Sequence, residues 1–295
     1  MKVSVITATY NRADLLKTLY KSLLTNSNVE IDWLVMDDGS TDNTKEVIEQ
    51  FQKDNKIEIK YNYQKNQGKM KAINELVQKA TGDVIIDCDS DDCFTQDAFN
   101  IIKEEFEKNK NTKDIYGLCF LKQDLQGKNI GKMFKKANTT MFDLYFKEGE
   151  DGEKVVVFYS KIRKQFSHEL ENGEKFITEA RMYHKMDEKY KMICINKSIM
   201  ICDYKEDGYT KNIQKQFEES PYGYYKYFKE ILKKDFKGVL FNKRLYAIKH
   251  YILFTYLTKS KFSTKDIRNF LNKLLYILLY IPGILKTEKQ FKRKK

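Results

Sequence analysis

Within its first hundred residues the chain repeats one pattern four times. Apolar runs at Val3 to Ile6, Trp33 to Met36, Ile57 to Tyr61 and Val84 to Ile86 are each followed by a polar turn and a stretch of helical period. This repeat predicts βα units in a parallel sheet, an α/β fold. Ligands in such sheets sit at the carboxyl ends of the strands. Three of the four predicted strand ends carry polar clusters: ATYNR at Ala8 to Arg12, DDGSTD at Asp37 to Asp42, and a run of aspartates after Ile86.

The third cluster places Asp87, Asp89, Asp91 and Asp92 within six positions. Like charges this close repel unless a counter-ion neutralises them, and hard carboxylate oxygens suit Mg²⁺ or Mn²⁺, which in turn hold phosphate oxygens. A metal–diphosphate site is the expectation. The alternative is an acidic loop that ends a strand and caps the next helix through Asp92 or Thr95. If the segment is extended, Asp87, Asp89 and Asp91 share one side while Cys88, Ser90 and Asp92 take the other. Cys88 and Cys93 flank the cluster, but thiolates suit softer metals, so both read as small packing residues.

SVITATYNR, LVMDDGSTDNT, NQGKMKAIN and VIIDCDSDD, in that order and at those separations, resemble the nucleotide-binding half of the inverting glycosyltransferases of family 2, which have a GT-A fold. GEKFITEARMYHKM (Gly173 to Met186) and ICDYKEDGYTKNI (Ile201 to Ile213) are similar to the acceptor-side segments of a bacterial branch that builds surface and capsular polysaccharides. The resemblance covers about residues 1 to 225 and rests on an ordered set of motifs. It implies a Rossmann-like, mostly parallel sheet flanked by helices. Residues 1–110 would form the nucleotide-sugar half and 111–225 the acceptor half, with 226–295 a basic helical C-terminal appendage.

Composition agrees. A chain of 295 residues with 41% hydrophobic content buries a substantial core. Its five cysteines include no CxxC pair, so neither a zinc knuckle nor a disulfide framework is indicated, and a reduced cytosol fits best. Arg12 comes too early for a signal peptide. The net charge of +12 is uneven: residues 1–110 carry 15 Lys/Arg against 20 Asp/Glu, and residues 226–295 carry 19 against 4. Such a basic tail suits nucleic acid or an anionic membrane. The apolar run FLNKLLYILLYIPGIL, Phe270 to Leu285, favours the membrane and argues against nucleic acid. It holds Asn272 and Lys273 and is interrupted by Pro282 and Gly283, which puts it short of the roughly 20 residues of a spanning helix. An interfacial anchor followed by a polybasic patch is expected, on the cytoplasmic face of the cell membrane. The alternative is a helix packed on the catalytic domain.

The resemblance assigns roles residue by residue. Ala8, Tyr10 and Asn11 line the nucleobase, with Tyr10 stacking on it. Asp38 accepts from the uracil imide N–H, and Asp37 serves structure or ribose; the alternative is that Asp37, Asp38 and Ser40 only shape the turn and cap the helix from Thr41 or Asp42. Gly68 and Lys69 open the third helix, where a cation at a helix N-terminus suits the nucleotide's charge. Asp89-Ser90-Asp91 takes the DxD role, with Asp91 the direct metal ligand and Asp89 on ribose, metal or metal-bound water. Asp92 holds the donor sugar or caps the helix. Glu179 is the catalytic base that inverting transfer requires; paired with Arg181 or Lys185 it would instead be an ordinary helix glutamate. Asp203 and Asp207 are weaker candidates for the base. His184 is a packing residue or a third metal ligand.

The expected reaction is metal-dependent transfer of a hexose or N-acetylhexosamine from a UDP-sugar to a hydroxyl of a bacterial surface glycan or lipid-linked saccharide, with inversion. The competing readings are a nucleotidyltransferase on the same kind of sheet and a non-catalytic basic module. The first is disfavoured because ATYNRADLL lacks the glycines of a pyrophosphorylase loop, the second because the acidic cluster is intact.

Overall fold

The computed structural model describes residues 1–25, 29–171, 173–202 and 213–292. It divides into two compact units. The first comprises Met1–Met141, Glu150–His168 and Met182–Glu206; the second comprises Phe142–Gly149, Glu169–Arg181 and Asp207–Lys295.

The strands of the first unit are β1 (Lys2–Thr9), β2 (Glu30–Asp37), β3 (Glu58–Tyr63), β4 (Val84–Asp87), β5 (Asp92–Phe94), β6 (Ile115–Gln123), β7 (Asn129–Ile130), β8 (Asn138–Thr139), β9 (Lys154–Tyr159) and β10 (Lys191–Cys202). They form one sheet in the order β3-β2-β1-β4-β9-β6-β10-β5, with β7 on β6 and β8 on β10. The four anticipated strands lie side by side and parallel. Beyond β4 the sheet becomes mixed, because β9 runs antiparallel to both β4 and β6.

Both faces of the parallel half are covered, so its strands read as continuous apolar runs. Val3, Val5, Trp33 and Val35 pack with α1 (Ala13–Leu23), α2 (Thr44–Asp54) and α4 (Ala98–Asn109). Ile6, Leu34, Met36 and Ile85 face the other way, onto Ile73, Leu76 and Val77 of α3 (Lys69–Lys79). This alternation leaves the loops at the carboxyl ends of β1, β2 and β4 along one edge. The short α5 (Ser160–Arg163) follows β9, and α6 (Ala180–Met186) precedes β10.

The second unit is helical: α7 (Ile213–Glu219), α8 (Pro221–Lys233), α9 (Phe241–Leu257) and α10 (Phe270–Lys292). Its core is aromatic, with Tyr224 stacked on Phe254 at 5.0 Å between centroids and Phe228, Phe236, Tyr251 and Tyr276 buried nearby. The aromatic run at Tyr222 to Phe228 is therefore mainly core: Tyr224, Tyr227 and Phe228 are buried and only Tyr222 stands exposed. The boundary anticipated between residues 225 and 226 falls inside α8, which belongs wholly to this unit.

The tail departs from expectation in one respect. Pro282 and Gly283 do not interrupt the helix; α10 runs through both. The stretch Phe270–Glu288 is thus long and apolar enough to cross a membrane by length and composition. Its inner face is nevertheless committed to α9. Tyr276 is fully buried, Asn272 accepts from Arg244 of α9, and a Cβ on Gly283 would sit 2.8 Å from Cγ2 of Ile252. The outer face carries Phe270, Leu274, Ile277, Leu278, Ile281 and Leu285, all exposed and spaced as one helical stripe.

Candidate functional site

The loop after β1 is tied to the loop after β2. Asn11 takes a left-handed backbone (φ 52), a conformation Asn tolerates better than most residues. Its N–H donates to Ser40 Oγ (2.9 Å), and its side-chain oxygen accepts from the Thr41 N–H (2.7 Å). Asp42 strengthens the link, since its carboxylate accepts from the Ala13 N–H at the start of α1 and from Thr44 at the start of α2. Tyr10 stands exposed beside this junction, and Ala8 pairs in register with Met36 one residue before Asp37.

Asp37 and Asp38 are both buried, and they do different work. Asp37 accepts from the Ser40 N–H (2.7 Å) and from the Tyr61 hydroxyl (2.8 Å), so it shapes the turn. Asp38 reaches across to the loop before α3. Its Oδ1 accepts from Gln64 Nε2 and the Gln67 N–H, both at 2.7 Å, and its Oδ2 accepts from the Gly68 N–H at 2.9 Å. Gly68 meets Asp38 with φ 96, a backbone closed to side chains with a Cβ. Oδ2 carries one protein donor where it has room for about two.

The acidic segment is not extended. It turns at Ser90 and Asp91, with the Asp92 N–H donating to the Asp89 carbonyl (3.1 Å). The anticipated alternation survives in burial: Cys88, Ser90 and Asp92 are buried, while Asp87, Asp89 and Asp91 are half-exposed. Neither Asp92 nor Thr95 caps α4. Asp92 lies in β5, and the Thr95 hydroxyl donates to the Ser198 carbonyl.

The repulsion among the four aspartates is relieved by four basic side chains of the protein, one for each carboxylate. Asp89 pairs with Lys69 (2.7 Å), Asp91 with Arg12 (2.8 Å), Asp92 with Lys122 (2.7 Å) and Asp87 with Arg163 (3.4 Å). Part of the charge crowding is thereby offset within the protein itself. Arg163 is fully buried and also lies 5.3 Å from the Phe158 ring centroid. Burial and the neighbouring Asp89 charge push the Asp92 carboxyl above its usual range, against the pull of Lys122. Burial works against the Lys122 ammonium, but Asp92, Glu153 and Asp89 hold it well above its ordinary value.

Among the described residues no cluster of three or more His, Cys, Asp or Glu is arranged to hold a metal. The donor chemistry still fits a hard divalent cation. Asp89 and Asp91 each engage one oxygen in an ion pair and keep the second outside it. Mg²⁺ sites are commonly completed by one or two carboxylates plus substrate phosphates. His184 is buried on α6, as a packing residue would be.

Glu179 lies in the second unit, one residue before α6. Its segment is fixed to α8 on both sides. Glu174 accepts from the N–H groups of Tyr222 and Gly223, each at 2.7 Å, and so caps the α8 N-terminus. Burial pushes the Glu174 carboxyl up. Arg181 makes a two-point pair with Glu230 (3.0 and 2.7 Å) and also binds Glu171 (3.0 Å). Its guanidinium is thus occupied by glutamates other than Glu179. Asp203 and Asp207 lie outside the described residues.

Residues 4–152 match the family model described as Glycosyl transferase family 2, which is half of the chain. The chain belongs to glycosyl transferase family 2. A glycosyltransferase of Nostoc sp., itself uncharacterised, is 37% identical over 118 residues, covering 40% of this chain and 35% of that protein. The GalNAc(5)-diNAcBac-PP-undecaprenol beta-1,3-glucosyltransferase of Campylobacter jejuni is 27% identical over 59% of this chain and 57% of that one. The chain therefore spans between a third and three fifths of the length of these relatives. S. aureus TarS 1-349 in complex with UDP-GlcNAc shares the fold, with a TM-score of 0.61 at 17% identity, covering 100% of this chain and 93% of that one. The four motifs that carried the resemblance to family 2 lie inside the matched span. Lys122, Arg163 and Glu174 were not anticipated, because each finds its partner across a long stretch of chain.

Proposed function

We propose that this family 2 member transfers a hexosyl or N-acetylhexosaminyl group from a UDP-sugar to a hydroxyl of a bacterial surface glycan or lipid-linked saccharide, with inversion. The observation that carries this reading is the meeting of four loops at one sheet edge: Asp38 holds the loop before α3, Lys69 and Arg12 pair with Asp89 and Asp91 of the aspartate turn, and Tyr10 stands exposed on the first loop. In this reading Tyr10 stacks on the uracil, and the open lone pair of Asp38 Oδ2 accepts from its imide N–H. Lys69 and Arg12 turn their charge toward the diphosphate, and Ser90 and Asp92 hold the donor sugar. A Mg²⁺ or Mn²⁺ ion held by Asp91 and Asp89 supplies neutralising charge for the departing diphosphate. Glu179 takes the proton of the acceptor hydroxyl as that oxygen bonds to the anomeric carbon and the bond from that carbon to the β-phosphate oxygen breaks, releasing UDP. Titration with UDP in Mn²⁺ or in EDTA tests the nucleotide and metal assignments together. Tighter binding is expected in Mn²⁺, and Asp91→Asn is expected to remove most of the difference, since a neutral ligand replaces a charged one. An unchanged metal dependence in the variant would reject Asp91 as the ligand.

The same reading places the chain on the cytoplasmic face of the cell membrane. Its support is the +15 balance of residues 226–295 together with the outward apolar stripe of α10. Removing everything from Phe270 onward is a poor test, because it would also remove Tyr276 and the Asn272 partner of Arg244 from the core. Leu278→Glu with Ile281→Glu alters only exposed positions, 62% and 70% accessible. In flotation with vesicles containing anionic lipid, the native chain is expected to bind at low salt and to retain weaker binding at high salt, where screening removes the lysine contribution. The double variant is expected to stay at the bottom in both. Equal flotation of the two proteins would remove α10 from the interface.

A further inference from the structure

A cavity of about 360 Å³ opens within the second unit, between the end of α9 and the far half of α10. Ile281, Ile284 and Leu285 line it from α10, and Tyr256, Lys259 and Ser260 line it from the end of α9. Ile281 and Leu285 also stand 70% and 55% exposed in the outward stripe, so the groove opens onto that stripe.

The backbone here is notable. Two residues past the end of α9, Lys259 takes the left-handed region (φ 53), and the Ser260 N–H returns to the Thr255 carbonyl at 2.9 Å. Glycine is the usual residue at such a helix end. Here the position carries an exposed lysine among the residues that line a mainly apolar groove. An apolar groove with one cation in its lining matches a molecule that has a hydrocarbon chain and an anionic head. The surplus of basic residues in this region disfavours a second copy of the same chain as occupant, because the two copies would repel.

We propose that this groove binds one hydrocarbon chain of an anionic phospholipid, with the phosphate set against Lys259. The proposal rests on the membrane reading above and adds a discrete lipid site to it. While α10 lies in the interface, one lipid chain leaves the bilayer's hydrocarbon and enters the groove, which fixes the rotation of the helix about its own axis.

The test uses the full chain and lysophosphatidylglycerol kept monomeric, below its critical micelle concentration, with calorimetry as the readout. Saturable binding of one lipid per chain is expected. Ser260→Trp fills the groove and is expected to weaken that binding at least tenfold while vesicle flotation and UDP binding persist, which also shows that the variant is folded. Lys259→Glu, an exposed position, is expected to weaken it by roughly fivefold and to abolish the preference over lysophosphatidylcholine. No saturable binding of the monomer by a chain that still floats with vesicles would overturn the groove and leave the membrane reading intact. Monomer binding by a chain that does not float would support the groove and reject the membrane reading. Tighter binding of farnesyl phosphate would overturn the choice of a phospholipid, and a native dimer abolished by Ser260→Trp would overturn the choice of a lipid.

Discussion

Glu179→Gln is expected to lower turnover by roughly 100-fold or more while leaving UDP affinity nearly unchanged. The substitution keeps the shape of the side chain and removes its basicity. The neighbourhood gives a way to separate lost chemistry from lost structure. The segment is held by Glu174 on the N-terminus of α8 and by Arg181 on Glu230, and neither anchor uses the Glu179 carboxylate. The variant should therefore keep both anchors and remain folded, and its residual rate should not recover as pH rises. Full activity in Glu179→Gln would move the base to another carboxylate, with Asp203 and Asp207 next in order.

The second large effect is on stability. Lys122→Met takes the ammonium away from Asp92 in a place where the lysine side chain is 11% exposed and the aspartate 4%. A buried carboxylate left without its partner costs about 3–5 kcal/mol, more than most single substitutions. Urea unfolding followed by circular dichroism is the measurement. Asp92→Asn in the Lys122→Met background should recover part of the loss, because the uncompensated charge is gone; a double-mutant cycle then isolates the pair. If Lys122→Met unfolds within about 0.5 kcal/mol of the native chain, as a surface change would, the pair is not buried in solution as it is in the structure.

Lys122 also marks where sequence reading reached its limit. It is the last residue but one of IYGLCFLKQ, and nothing local indicates that an aspartate 30 positions earlier is its partner. The parallel half was legible because its signals are local: an apolar run, a polar turn, a helical period, four times over. The placement of Asn11, Asp37, Asp38, Gly68 and Lys69 at strand or helix ends followed from the same local signals, whereas the roles given to them came from the resemblance. The pairing of β9 between β4 and β6 depends on long-range register and left no such trace. Local signals misled at Pro282, which suggested a helix break, whereas packing on α9 carries the helix through it. The aspartate run gave no local sign that Arg12, Lys69, Lys122 and Arg163 converge on it from four other parts of the chain.

That convergence has a thermodynamic consequence for ligand binding. Lys69 and Arg12, the cations assigned to a diphosphate, already hold Asp89 and Asp91. An arriving anion exchanges one set of charge pairs for another, so its affinity reflects the difference between the two. Added salt weakens both sets together. The plot of log affinity for UDP against log ionic strength should therefore be shallow for a site of this charge density, and it should steepen in Asp89→Asn, where the Lys69–Asp89 pair is lost. The resting protein would then act as its own competitive anion, setting a floor that weakly charged nucleotides cannot cross.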